Sequence, residues 1–170
     1  CMLARSRAMR VPWVCSNLLD LRGRTPPFSR SLDVDAAGAR VRILALLVPQ
    51  YRTGSGWERL FGWRFLAPEA ALAELRSSRE ASPSDAIVLL SHLGLAGDRD
   101  LAAGHPEFAA IIGGHSHDTL ADPDVVNGVP IVHAGAFARN AGRLEIERRG
   151  GRWRVASYRL IPLGAAEPVV

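Results

Sequence analysis

Three histidines stand where this chain could do metal chemistry. His115 and His117 lie in Gly113-Gly114-His115-Ser116-His117, directly after the apolar run Phe108-Ala109-Ala110-Ile111-Ile112. His92 ends another apolar run, Ala86-Ile87-Val88-Leu89-Leu90-Ser91. Imidazole is the commonest side-chain metal ligand, and three converging imidazoles suit zinc, manganese or iron. Gly113 and Gly114 let the backbone turn sharply and keep space clear for a ligand. His115 and His117 are two residues apart, so in an extended segment their side chains point to opposite sides. That spacing serves two adjacent ions, or one ion with the second imidazole donating a hydrogen bond.

The elements that must position these side chains are strands. Residues 85–91 and Phe108 to Ile112 are short, near-continuous apolar runs, as expected of strands covered on both faces. A short helix over Gly97 to Ala103 lies between them, giving a parallel, right-handed β-α-β unit. In open α/β sheets, ligands gather at the carboxyl ends of the strands, and His92 and His115 occupy two such ends. Further along, Val125 to Val132 predicts a hairpin with Asn127-Gly128 in a type I′ turn. Arg143 to Arg148 and Trp153 to Ile161 predict another hairpin, joined through Gly150-Gly151. Upstream, Val11 to Leu19 is strand-like and residues 22–30 read as loop. Ser31 to Asp35 and Arg40 to Val48 flank Ala36-Ala37-Gly38 as a hairpin. Trp57 to Trp63 suggests a short helical turn. Pro68 starts a helix reaching about Glu80, with Leu72 and Leu75 on its inner face. The tail after Leu163 reads as a linker. The fold class is α/β with mixed sheets and β-hairpins.

Other polar residues have plainer readings. His105, before Pro106, is expected to be a solvated loop residue. His133, ahead of Ala134-Gly135, and Gly114 could border the same cleft as the three histidines. Asp98 and Asp100 charge or cap the first turn of the short helix. Asn17 is expected in a turn, and the four tryptophans in packing.

Composition narrows the classes. At 170 residues with 48% apolar side chains, the chain is one domain or a large piece of one. Its longest apolar run, Ile43 to Val48, is far too short for a membrane span. The net charge is +4, and all 21 basic residues are arginine. They are scattered along the sequence, which argues against a nucleic-acid-binding patch. Cys1 and Cys15 are too few for a disulfide framework and lack metal-ligand spacing. A start at Cys1 rather than methionine reads as a truncated frame, not as a mature lipoprotein.

Ser91-His92-Leu93-Gly94, followed by Ile111-Ile112-Gly113-Gly114-His115-Ser116-His117, resembles the calcineurin-like metallophosphoesterases. The closest resemblance is to the branch holding 5′-nucleotidases, UDP-sugar hydrolases and the thiosulfohydrolase SoxB. Residues 127–135 and Gly142-Arg143-Leu144 resemble the next segment of that branch, and Val14-Cys15-Ser16-Asn17 its earlier strand. The resemblance implies part of a four-layer α/β/β/α sandwich, with residues 1–163 a partial catalytic domain lacking its N-terminal half and 164–170 a linker. It implies two divalent ions in the complete domain (manganese, zinc or iron), with His92 and His115 on one and His117 on the other. It implies a small-molecule phosphoester substrate of the nucleotide class and a periplasmic or extracellular location; the scattered arginines and short apolar runs add the expectation of no nucleic-acid or membrane partner. The family's other ligands, in Asp-x-His, Gly-Asp and Gly-Asn-His-Glu motifs, have no counterpart upstream of His92, so no catalytic residue is assigned in this chain. A SoxB-like hydrolase of a sulfur-bound sulfonate, or a non-catalytic fragment binding at most one metal, are the alternatives. Two divalent ions about 3.5 Å apart repel by on the order of 20 kcal/mol at an effective dielectric of about 20. Bridging anions offset that repulsion and neutral imidazoles do not, so this chain alone is expected to hold at most one ion, weakly.

Overall fold

A computed structural model of the chain describes residues 11–22, 28–77 and 85–164. The chain forms two compact units, residues 1–85 and 86–170.

In the first unit, strand β1 (Leu18–Asp20) pairs antiparallel with β4 (Trp63–Phe65). β2 (Ser31–Ala36) and β3 (Ala39–Leu47) form the expected hairpin, turning at Ala37 (φ 51°) and Gly38 (φ 79°). Helix α1 (Gly56–Phe61) takes the place foreseen for a helical turn. Helix α2 (Pro68–Ser77) buries Ala71, Leu72 and Leu75 and exposes Glu69, Glu74 and Arg76. The rest of the expected helix, to Glu80, lies outside the described residues. The N-terminal strand is shorter than expected. Pro12 lacks an N–H donor, and Ser16 and Asn17 form a bend, not a strand. Asn17 is not a surface turn residue either. It is fully buried; its amide donates to the carbonyls of Leu47 (2.7 Å) and Leu66 (3.1 Å), and its side-chain oxygen accepts from Leu47 N–H (2.9 Å).

In the second unit, β5 (Ala86–His92), β6 (Phe108–Gly113) and β8 (Val129–His133) run parallel in that order, and β7 (Asp124–Val126) pairs antiparallel with β8. Helix α3 (Leu95–Gly104) connects β5 to β6 and packs on β6, β7 and β8. β9 (Asn140–Arg149) and β10 (Arg152–Pro162) form the last hairpin, turning through Gly150 and Gly151. The β7–β8 turn holds Asn127 at φ 50° and Gly128 at φ 84°, the left-handed pair that a type I′ turn needs. Leu89, Ile111, Val129 and Ile131 are fully buried, with Leu101 and Ala102 of α3 also in the core. The expectation of two covered faces holds only in part. Leu90 and Ile112, register partners at the ends of β5 and β6, are 40% and 43% exposed. Among the described residues, no helix is long and apolar enough to cross a membrane.

Candidate metal centre

The period-two alternation of β5 sorts its last two residues. Ser91 follows Leu89 onto the buried face, and His92 follows Leu90 onto the exposed one. β6 is the parallel neighbour, and its register carries Gly113 opposite His133 of β8. Two residues later, His115 brings its ring to 5.0 Å from that of His92, centroid to centroid, at 65° between planes. Both histidines are exposed. A Cβ placed on Gly114 would lie 3.4 Å from His92 Nδ1, an ordinary van der Waals contact, so Gly114 packs directly beside this imidazole.

The Gly-Gly-His-Ser-His segment is not extended, so strand alternation is not what separates its two histidines. His115 has φ 78° and His117 φ 62°, left-handed values that few non-glycine residues adopt. The Ser116 N–H donates to Gly114 O at 3.1 Å. Ser116 Oγ accepts from Leu95 N–H at 3.0 Å and donates to Asp118. The segment is therefore tied to the start of α3, where Gly94 (φ 84°) supplies no side-chain cap. His117 faces another way: its ring stands 5.4 Å from that of Phe137. Phe137 is 79% exposed, in a turn closed by Arg139 N–H donating to Ala136 O, and it and Ala138 both have positive φ.

Beneath the exposed histidines lies a buried polar cluster. Asp98, in the first turn of α3, is fully buried, as are Leu101 and Ala102 at the helical spacings of three and four. One carboxylate oxygen accepts a short hydrogen bond from Ser91 Oγ, and the other lies 2.7 Å from His133 Nε2. Burial pushes the Asp98 carboxyl above its ordinary value, against the hydrogen bonds from Ser91 and His133 that act to lower it. His133 is 2% exposed, so it sits under the histidine turn and does not border open space. A Cβ on Gly113 would overlap both His133 Nε2 and Asp98 Oδ2, so only glycine fits there. Asp98 is thus a core residue and not a surface charge at a helix start. His105 is likewise no solvated loop residue: it is 4% exposed, with Nδ1 3.0 Å from Glu107 and its ring against Phe108.

The spacing of the two rings bears on a metal ion. Two imidazoles sharing one ion at about 2.1 Å, at an angle between roughly 90° and 110°, place their ring centroids roughly 4.5–5.2 Å apart. The His92–His115 separation of 5.0 Å falls in that range. Among the described residues, no group of three or more His, Cys, Asp or Glu side chains is placed to hold an ion. His92 and His115 are the two imidazoles that the structure brings together at these strand ends.

Comparison with known proteins follows the same lines. No protein-family model matches. Over 137 residues, 79% of this chain, the sequence is 31% identical to the uncharacterized metallophosphoesterase YunD of Bacillus subtilis (strain 168), covering 29% of that protein. The structure superposes on a 5′-nucleotidase precursor from Thermus thermophilus with a TM-score of 0.74 and 25% identity, over 94% of this chain and 34% of that one. The chain belongs to the calcineurin-like metallophosphoesterases. A second solved structure, the sulfate thiohydrolase SoxB of Thermus thermophilus, shares this metallophosphoesterase fold at a TM-score of 0.73 and 23% identity, over 92% of this chain and 29% of that one. The chain spans about a third or less of the length of each of these relatives.

Two features of this metallophosphoesterase chain escaped the sequence reading. Asp98 could have been found from its helical spacing to Leu101 and Ala102. Phe137 carried no such signal.

Proposed function

We propose that this chain supplies the histidine ligands of a metal-dependent phosphoester hydrolase centre of the 5′-nucleotidase kind, acting on a small nucleotide-class phosphoester. The observation that carries the reading is the pairing of His92 and His115, 5.0 Å apart, at the carboxyl ends of adjacent parallel strands. His92 and His115 hold one divalent ion in this reading and His117 a second, with manganese, zinc or iron as candidates. When bound, such ions supply Lewis acidity at a phosphoryl oxygen. The chain's own residues orient the ligands: Gly114 packs beside the His92 ring, and Ser116 ties the histidine segment to the start of α3. The bridging carboxylate, the remaining ligands and the acid that protonates the leaving group come from chain outside these 170 residues. Residues 1–163 are then part of a catalytic domain, with 164–170 a linker.

Titration with Mn2+, followed by calorimetry and elemental analysis, tests this reading. The expected result is at most one weakly held equivalent, lost in His92→Ala and in His115→Ala. Hydrolysis of a chromogenic phosphate ester should be absent from the chain alone. It should appear when the chain is joined to the N-terminal part of a relative such as YunD, and fall by orders of magnitude in His117→Ala of that fusion. Two tightly held ions, or robust hydrolysis by the chain alone, overturn it. Preference of the fusion for a sulfur-bound sulfonate over the phosphate ester would assign it to SoxB-like chemistry.

A further inference from the structure

We propose that Asp98 is a positioning residue that sets the geometry of His92 and His115 from below. The inference rests on the reading of those two histidines as ligands. Four chain segments converge on the Asp98 carboxylate: the end of β5 through Ser91 Oγ, the end of β8 through His133 Nε2, the packed backbone of Gly113 at the end of β6, and α3, which carries Asp98 itself. Ser91 directly precedes His92, and its Oγ also accepts from the N–H of Leu93 at 3.2 Å. The backbone on both sides of His92 is therefore anchored to one carboxylate. Gly113, packed against the same carboxylate, stands two residues before His115.

The order of the groups excludes a nucleophilic triad. In such a triad the imidazole lies between hydroxyl and carboxylate and takes the hydroxyl's proton. Here the carboxyl group lies in the middle, with Ser91 Oγ on one oxygen and His133 Nε2 on the other. Ser91 is also 7% exposed, out of reach of a substrate. Stability alone does not explain the cluster, because apolar residues of similar volume often replace a buried charged pair with no loss. A buried pair of this kind does fix direction: both carboxylate oxygens are committed, and each bond loses energy steeply when bent. With Nε2–H directed at the carboxylate, His133 Nδ1 is a lone pair without a partner among the described residues. The cluster thus has one unsaturated position and is otherwise closed. Partners that orient ligands without touching the ion typically change metal affinity by about 10–100-fold when removed.

The test compares Asp98→Asn, His133→Leu and His133→Gln in the full chain. A glutamine amide can place a donor near the position of His133 Nε2, so it is the conservative variant. Two readouts are needed. In the metal-free protein, the ring-to-ring nuclear Overhauser effect between His92 and His115 should be present in wild type and in His133→Gln. It should be lost in Asp98→Asn and His133→Leu while the far-ultraviolet circular dichroism stays native. Should His133→Leu fail to fold, Ser91→Ala serves, with a smaller loss of the same signal. In a titration with Co2+, followed by the visible absorption of the bound ion, Asp98→Asn should weaken binding by about 10–100-fold and His133→Gln by no more than about threefold. Persistence of the ring-to-ring effect and of wild-type Co2+ affinity in Asp98→Asn overturns the positioning role. Failure of wild type to bind Co2+ through His92 and His115 overturns the ligand reading instead, and the ring-to-ring measurement still decides the positioning role.

Discussion

Each unit of this chain buries one carboxylate in its described part, and the two are held in opposite ways. In the first unit, Glu58 is 4% exposed at the start of α1. Arg64 Nη2 donates to it at 2.8 Å, and Gly54 N–H donates at 3.0 Å. The Arg64 guanidinium, helped by the Gly54 N–H, holds the Glu58 carboxyl below its ordinary value. In the second unit, Asp98 meets a hydroxyl and an imidazole, and burial pushes its carboxyl up. The partner makes the difference. Arginine is always charged and its fork matches a carboxylate; histidine and serine offset less of the cost of removing a charge from water. Glu58 completes a helix start, where Ser55 Oγ accepts from Glu58 N–H as the cap. Asp98 does a costlier thing in a place where the sheet ends and the exposed histidines begin. A carboxylate kept at that cost beneath a candidate site points to a demand for geometry.

The largest effect that separates the two should come from deleting each carboxylate. Asp98→Ala leaves Ser91 and His133 buried without their acceptor and should cost about 2–5 kcal/mol of stability. Glu58→Ala should cost less, because the Arg64 side chain is 37% exposed and can turn to water. Urea denaturation of both variants measures the contrast. Equal losses would remove the distinction between the pairs.

A glycine comparison comes next. Gly113→Ala forces a Cβ into the Asp98–His133 pair and should cost about 1–3 kcal/mol through overpacking. Gly54, beside Glu58, has open space around it but φ 78°. Gly54→Ala should therefore cost only backbone strain, about 1 kcal/mol. Thermal melts give the order, and a milder loss at Gly113 would mean that the pair yields easily.

The two carboxylates should also bend the pH dependence in opposite directions. Glu58 has a depressed folded value, so its contribution is present above the unfolded value and lost as pH falls through the folded one. Asp98 has a raised folded value, so its contribution is present below the unfolded value and lost as pH rises through the folded one. On acidification from about pH 7 to about pH 3, Glu58→Gln should lose less stability than wild type, and Asp98→Asn should lose more. Urea midpoints across that range decide it. Identical slopes for the two variants would contradict the opposed shifts.

What the sequence made legible was local. The hairpins over β2–β3, β7–β8 and β9–β10 each carry glycine at a left-handed turn position, and each was placed to within a few residues. The nearness of His92 and His115 was legible because each follows an apolar run, and the β-α-β connection makes such ends neighbours. What stayed hidden depended on distant partners. Asp98 and His133 are 35 residues apart in sequence, and nothing at either position announces the other. A charge in the first turn of a helix has an ordinary explanation, which concealed that Asp98 faces inward. His105 precedes a proline and reads as loop, yet packing against Phe108 buries it. The turn at Phe137-Ala138 contains no glycine at its left-handed positions, so turn chemistry gave no signal there.

The smallest expected effect concerns those strained positions. Ala37 in the first unit and Ala138 in the second share φ 51°. A left-handed alanine costs about 1–2 kcal/mol, and glycine gives back about 0.5–1 kcal/mol through its greater freedom in the unfolded chain. Ala37→Gly and Ala138→Gly should therefore each stabilise by at most about 1.5 kcal/mol, a rise of a few degrees in Tm. The chemistry of the change is the same, but the surroundings differ. Ala138 follows Phe137, whose ring lies against His117; Ala37 sits in the β2–β3 hairpin turn next to Gly38. Relaxing the turn at 138 should shift the ring resonances of His117 in the metal-free protein, and relaxing it at 37 should leave them alone. If both variants gain stability and neither moves His117, the strain at Phe137-Ala138 is a turn defect like that at Ala37. If only Ala138→Gly moves the ring, the second unit holds its third histidine through backbone strain, as it holds His92 and His115 through a buried carboxylate.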